Sequence, residues 1–187
     1  ETGHDKRDYG YGKFGRDVQE IFLAYLIGRS YVGMRAQDVA SWSRMLAEYK
    51  TTDDRSNKLH LIAIGEAAIP ALHAAALDPE RFVSVRLRNM ISSWTEVVRT
   101  PDNQNQAASV IHGALKHYDL QDLIELAGKA KVRVFMSDLG VPTKVDVIEM
   151  LNGGIPETLD MDSDRCQQST FAQMWLEEDG NGGFIVV

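Results

Sequence analysis

The stretch KLHLIAIGEAAIPALHAAAL, residues 58–77, decides the fold. Residues 59–64 form an apolar run bounded by Lys58 and Gly65. The run is too short for a helix and reads as a strand buried on both faces. The alanine-rich segment from about Glu66 to Leu77 reads as a helix whose small side chains permit close packing on a sheet. Its Pro70 falls in the first turns, where a missing N–H costs least.

Downstream, FVSVRLR (82–88) alternates. Val83, Val85 and Leu87 fall on one side and Ser84, Arg86 and Arg88 on the other. This is a strand with one polar face, or one whose arginines meet acidic partners. Residues 91–127 read as mainly helical after an irregular start, with TPDNQNQ as a turn-rich loop. KVRVFMS (131–137) is a third strand. TKVDVIEMLNGG (143–154) is a helix, with Thr143 and Asp146 spaced like a capping box and Gly153 or Gly154 as its stop. Upstream, a helix starts near Asp17 with Val18, Ile21, Phe22, Tyr25 and Leu26 on one face, and weakens at Gly28. A second helix runs from about Met34 to Tyr49, with Val39, Trp42, Met45, Leu46 and Tyr49 as its buried stripe.

The order strand–helix–strand–helices–strand–helix predicts an α/β fold, a parallel sheet flanked by helices with right-handed crossovers. Three regions are expected: a polar segment 1–16, a domain 17–155 and an extension 156–187. In the extension, STFAQMWLEE (169–178) reads as a short helix and FIVV as a terminal strand.

Strand, glycine and small-residue helix are also the ingredients of a nucleophile elbow, G-x-S-x-G, which holds a serine above a sheet beside oxyanion-binding backbone N–H groups. The aligned residues are Gly65, Glu66, Ala67, Ala68 and Ile69. Ala67 stands at the nucleophile position, Ala68 supplies the oxyanion-like N–H, and Ile69 replaces the last glycine.

Several stretches resemble bacterial acetylxylan-esterase-like proteins of the α/β-hydrolase superfamily. AYLIGRSYVGMRAQDVASWSRML (24–46) is similar to the segment that leads into their nucleophile strand, with its YLLGKSLVGMR type of run. ALHAAALDPERF (71–82) and IHGALKHYDLQDL (111–123) are similar to degenerate members that also lack the serine, and the opening ETG looks like the continuation of that family's RGxGET segment. The resemblance implies a partial α/β-hydrolase-like sheet, a C-terminal half that begins just inside a domain. It also implies that the strand at 59–64 needs cover, from the remainder of a longer polypeptide or from a second chain that completes the sheet; bare, it is an aggregation liability. A secreted or periplasmic location accords with the resemblance, and a homo-oligomer is a further expectation.

The family's acid follows the next-but-one strand, which suggests Asp138 in FMSDLG. Its histidine comes later still, yet His4, His60, His73, His112 and His117 all precede Asp138. The Ser–Asp–His order is therefore incomplete, and alanine has no nucleophilic atom. The reading is a non-catalytic domain that supports a larger protein. Its alternatives are part of a carbohydrate esterase completed by another segment, an engineered alanine at 67, and a small-ligand module.

Glu66 and Asp138 are the catalytic candidates. Each also has a plainer role, Glu66 bonding neighbouring backbone and Asp138 capping a turn. His60 and His73 read as core histidines. His112 and His117, five apart, lack the spacing of a helical metal pair. Cys166, among acidic residues, lacks an activating neighbour. DMDSDR places Arg165 and Phe171 where a calcium loop needs glycine and glutamate; EEDGNGG lacks its twelfth-position glutamate. Both are solvated loops, and no cofactor or metal is expected.

Charge and composition narrow the partners. The chain has 187 residues, 44% apolar and 25% charged, with a net charge of −7. That balance repels a phosphate backbone, and neither SVRLRN nor GHDKRDYGYGK amounts to a basic patch, so nucleic acid is not expected. No apolar run approaches the roughly 20 residues of a membrane span. The single cysteine cannot form an intrachain disulfide.

Overall fold

The computed structural model describes residues 17–48, 59–101, 106–135, 173–176 and 183–186. The apolar run at 59–64 is a strand, β1 (Leu59–Ile64), in the middle of a five-stranded sheet. The others are β2 (Phe82–Arg88), β3 (Val132–Phe135), β4 (Gln173–Leu176) and β5 (Gly183–Val186), and the spatial order is β3-β2-β1-β5-β4. β1 pairs in parallel with β2 and β5, and β2 with β3; β4 and β5 are antiparallel. The chain is thus an α/β protein with a parallel sheet flanked by helices. The free edge of β1 is covered from within, by the chain's own β5.

The helical layer comprises α2 (Tyr31–Glu48), α3 (Ala68–Leu77) and α5 (Leu120–Gly128), with α3 packed on β1 and β2 and flanked by the other two. Residues 68–75 of α3 are all buried. Its alanines let backbone approach backbone on three sides, so the helix is buried around its circumference. Leu59, Leu61, Ala63, Phe82, Val85, Leu87 and Val132 meet it from the sheet.

Several sequence expectations are corrected. The β2 alternation is broken at its start. Leu59 pairs with Phe82, but His60 pairs with Ser84, so Val83 is the extra residue of a bulge and is 45% exposed. Phe82 takes the core position instead, as two residues of one strand oppose one of the other. On α2 the buried face is Val32, Ala36, Val39, Ser43 and Leu46, whereas Trp42 and Met45 are exposed. Ala36 and Ser43 take places in the seam because α3 presents alanines, and close helix approach favours small against small. The segment expected as a short helix at 169–178 contains strand β4 at Gln173–Leu176. A short apolar run does not declare its period, and pairing with β5 supplies the ladder.

Helix α1 (Val18–Leu26) buries Val18, Ile21 and Ala24, not the expected Phe22, Tyr25 and Leu26, which are exposed. A continuous apolar run leaves the rotation of a helix undetermined by pattern alone. Its end is well defined. Gly28 is left-handed (φ 72°), its N–H donates to Tyr25 O at 2.9 Å, and the Arg29 N–H donates to Ala24 O at 2.8 Å. These are the paired bonds of a Schellman stop. The largely helical stretch expected at 91–127 resolves into α4 (Trp94–Arg99), 3-10 turns at Ala107–Ser109 and Ala114–Lys116, and α5. The helix expected at 143–154 lies outside the described residues.

Candidate functional site

The turn after β1 begins at Gly65, whose φ of 65° is left-handed. A 3-10 turn, Gly65–Ala67, then feeds directly into α3. Ala67 is relaxed, at φ −74° and ψ −18°, and 8% exposed. A nucleophile elbow concentrates its strain at the nucleophile; here the left-handed residue is two positions earlier. The Ala68 N–H donates to the Gly65 carbonyl, closing the turn. An oxyanion at this point therefore competes with an internal hydrogen bond. Ile69 is buried in the core, and Glu66 is exposed at the rim of the turn. Asp138 and Cys166 lie outside the described residues.

The histidines have other engagements. His73 lies on α3 with Nδ1 2.8 Å from Ile69 O and Nε2 3.1 Å from the Tyr118 hydroxyl. A carbonyl only accepts, so Nδ1 carries the proton and Nε2 accepts from Tyr118. Burial lowers the His73 pKa, partly opposed by the bond to Ile69 O, and burial raises that of Tyr118. Trp94 completes the cluster, its ring 5.9 Å from His73 and 5.5 Å from Tyr118. Its indole N–H donates to Ser109 O at 2.8 Å. His60 Nδ1 and Ser84 Oγ are 2.7 Å apart, as cross-strand neighbours in the β1–β2 ladder on the face away from α3. The ring of His112 meets that of Tyr25 edge-on, and His117 is exposed.

Sequence reading missed Asp119. As N-cap of α5 its carboxylate accepts from Leu120 N at 2.7 Å, and it also accepts from Trp94 N at 2.8 Å, Thr95 N at 3.2 Å and Thr95 Oγ1 at 2.8 Å at the start of α4. Two helix N-termini converge on one carboxylate, each favouring negative charge. Burial raises the Asp119 pKa, but the bonds from Trp94, Leu120 and Thr95 together outweigh it and hold the carboxyl below its usual value. The available signal was DLQD, where Asp122 returns a bond to the Asp119 N–H at 2.8 Å, a capping box.

A half-open apolar cavity of about 350 Å³ lies between α4 and residues 110–116, lined by Trp94, Val97, Val98, Val110, Leu115 and Lys116 among others. Its lining contains no carboxylate, hydroxyl or thiol, and Lys116 is its one ionisable side chain. Among the described residues, no three His, Cys, Asp or Glu side chains converge as a metal site requires, and no helix is long and apolar enough to cross a membrane. No protein-family model, curated protein or solved structure matches the chain.

Proposed function

We propose that this chain is a non-catalytic α/β-hydrolase-like domain of the acetylxylan-esterase-like kind, serving as a scaffold in a larger protein or complex. The observation that carries the reading is the turn itself. Ala67 has no reactive atom and a relaxed backbone, and the adjacent Ala68 N–H is already bonded to Gly65 O. Three properties of an acyl-transfer centre are thus missing at one place: nucleophile, strain and a vacant oxyanion donor. Hydrolysis of short acyl esters by the purified chain is expected to equal the buffer rate, and Ala67→Ser is expected to leave it there. Turnover that disappears on Glu66→Gln refutes the proposal and favours the alternative, an esterase completed by another segment.

One observation favours a ligand-binding role on the same scaffold. The strand order reverses at β1, with β2 and β3 on one side and β5 on the other. In open α/β sheets ligands occupy the crevice beyond the C-terminal ends of the strands at such a switch point. The Gly65–Ala67 turn stands there. Amide chemical-shift changes confined to residues 64–68 during titration with acetylated sugars support that role, and their absence at saturating sugar removes it.

A further inference from the structure

After Gln19 and Glu20 in its first turn, helix α1 is apolar around its circumference. From Ile21 to Ile27 the chain reads IFLAYLI, without a charge or an amide. Phe22, Leu23, Tyr25, Leu26 and Ile27 are 54%, 61%, 52%, 83% and 66% exposed. The Schellman stop closes this end of the helix, so the exposure belongs to a formed helix and not to a frayed one. Helices apolar on all sides are stable as interior helices.

At roughly 200 Å² for a fully exposed large side chain, the five residues present on the order of 600 Å² of surface. A monomer's largest apolar patch seldom exceeds that. The Tyr25–His112 ring contact, with centroids 5.8 Å apart, carries the surface onto residues 110–115, where Val110 and Leu115 are 41% and 44% exposed. The total then reaches the roughly 800 Å² that each partner contributes to a standard stable interface.

We propose that this surface pairs with its own copy, making the protein a two-fold dimer with α1 packed against α1 of a second chain. Area is the first argument and charge the second. In a chain of net charge −7, residues 21–27 carry no charge and Glu20 stands at their N-terminal border, so two copies meet here with little like-charge repulsion. Geometry is the third. Phe22 with Leu26, and Leu23 with Ile27, are i, i+4 pairs, the ridges that interdigitate when two helices cross. A patch that meets itself about a two-fold axis closes at two copies. A membrane surface is a poorer match, because an interfacial helix needs a basic polar face and α1 has none.

Sedimentation velocity and light scattering on the whole chain, over a wide concentration range, test the proposal. The wild type is expected at twice the 20.9 kDa chain mass. Leu26→Glu and Phe22→Glu are both changes at exposed positions and are expected to preserve the far-UV circular dichroism spectrum. Each is expected to weaken dimerisation by at least about a hundredfold, since each places two carboxylates in one apolar seam. Leu77→Glu, a 79% exposed position at the end of α3, is expected to leave the dimer intact. A wild type that is monomeric throughout overturns the proposal, as does open-ended association or a dimer that survives both α1 changes. A monomer that instead binds lipid vesicles or a different protein through α1 overturns it equally.

Discussion

Replacing Asp119 by alanine removes five hydrogen bonds at once: from the Leu120 and Asp122 N–H groups at the head of α5, and from the Trp94 N–H, the Thr95 N–H and the Thr95 hydroxyl at the head of α4. Loss of an N-cap alone costs about 1 kcal/mol. A bond to a charged acceptor contributes about 1.5–3 kcal/mol. Water replaces part of this, because Asp119 is only partly buried. A total of about 2–4 kcal/mol follows, a large share of a domain stability of about 5–15 kcal/mol. The assay is urea unfolding followed by far-UV circular dichroism. Thermal unfolding gives a second measure, with Tm lowered by roughly 5–15 °C for a domain of this size. Asp119→Asn separates charge from shape. The folded-state pKa is depressed, so the carboxylate's contribution is present above its unfolded pKa of about 3.9 and is lost as pH falls through the folded value. The stability gap between wild type and Asp119→Asn should therefore narrow as pH drops below 4. A change of less than about 0.5 kcal/mol for Asp119→Ala, the scale of an ordinary surface substitution, refutes the two-helix role.

Burial lowers the His73 pKa, so folding favours the neutral ring and protonation favours unfolding. Its contribution is present above the unfolded pKa of about 6.5 and is lost as pH falls through the depressed folded value. Wild-type stability should therefore drop between pH 7 and pH 5; His73→Gln should flatten that limb of a urea-midpoint profile, and an unchanged slope counts against the assignment. Gly65→Ala should cost about 1–2 kcal/mol by the same measurement, from left-handed backbone strain alone. A Cβ there meets nothing within 4 Å, so Gly65→Asn, which tolerates that conformation, should recover part of the loss.

β1 was legible because burial on both faces made its pattern insensitive to register. β3 stands within KVRVFMS, and β5 overlaps FIVV. Features that depend on two distant segments were not legible. Val83 leaves the core only because Leu59 and His60 pair across a bulge, a property of two strands that neither sequence contains alone. Trp42 and Met45 outrank Ala36 and Ser43 in hydrophobicity, yet the two small residues join Val32, Val39 and Leu46 in the α2 seam because the opposing surface is alanine. At the candidate site, the left-handed Gly65 was readable from its position between strand and helix. The bond from Ala68 to Gly65 O, and the cluster of His73, Trp94 and Tyr118, depend on the three-dimensional path of the chain.

The pairing of β1 with β5 has a consequence for synthesis of the chain. β1 is complete at Ile64, but the second of its two parallel partners, β5, begins only at Gly183, roughly 120 residues later. At about 5–20 residues per second, a nascent chain spends on the order of ten seconds with one edge of its most apolar strand unpaired. β2 joins early, because α3 and a short loop bring it back at once, so the vulnerable interval belongs to one edge of β1. Folding on the ribosome is then limited by arrival of the last strand. Chains arrested before Gly183 are the ones that should occupy chaperones or aggregate, whatever the stability of the finished domain.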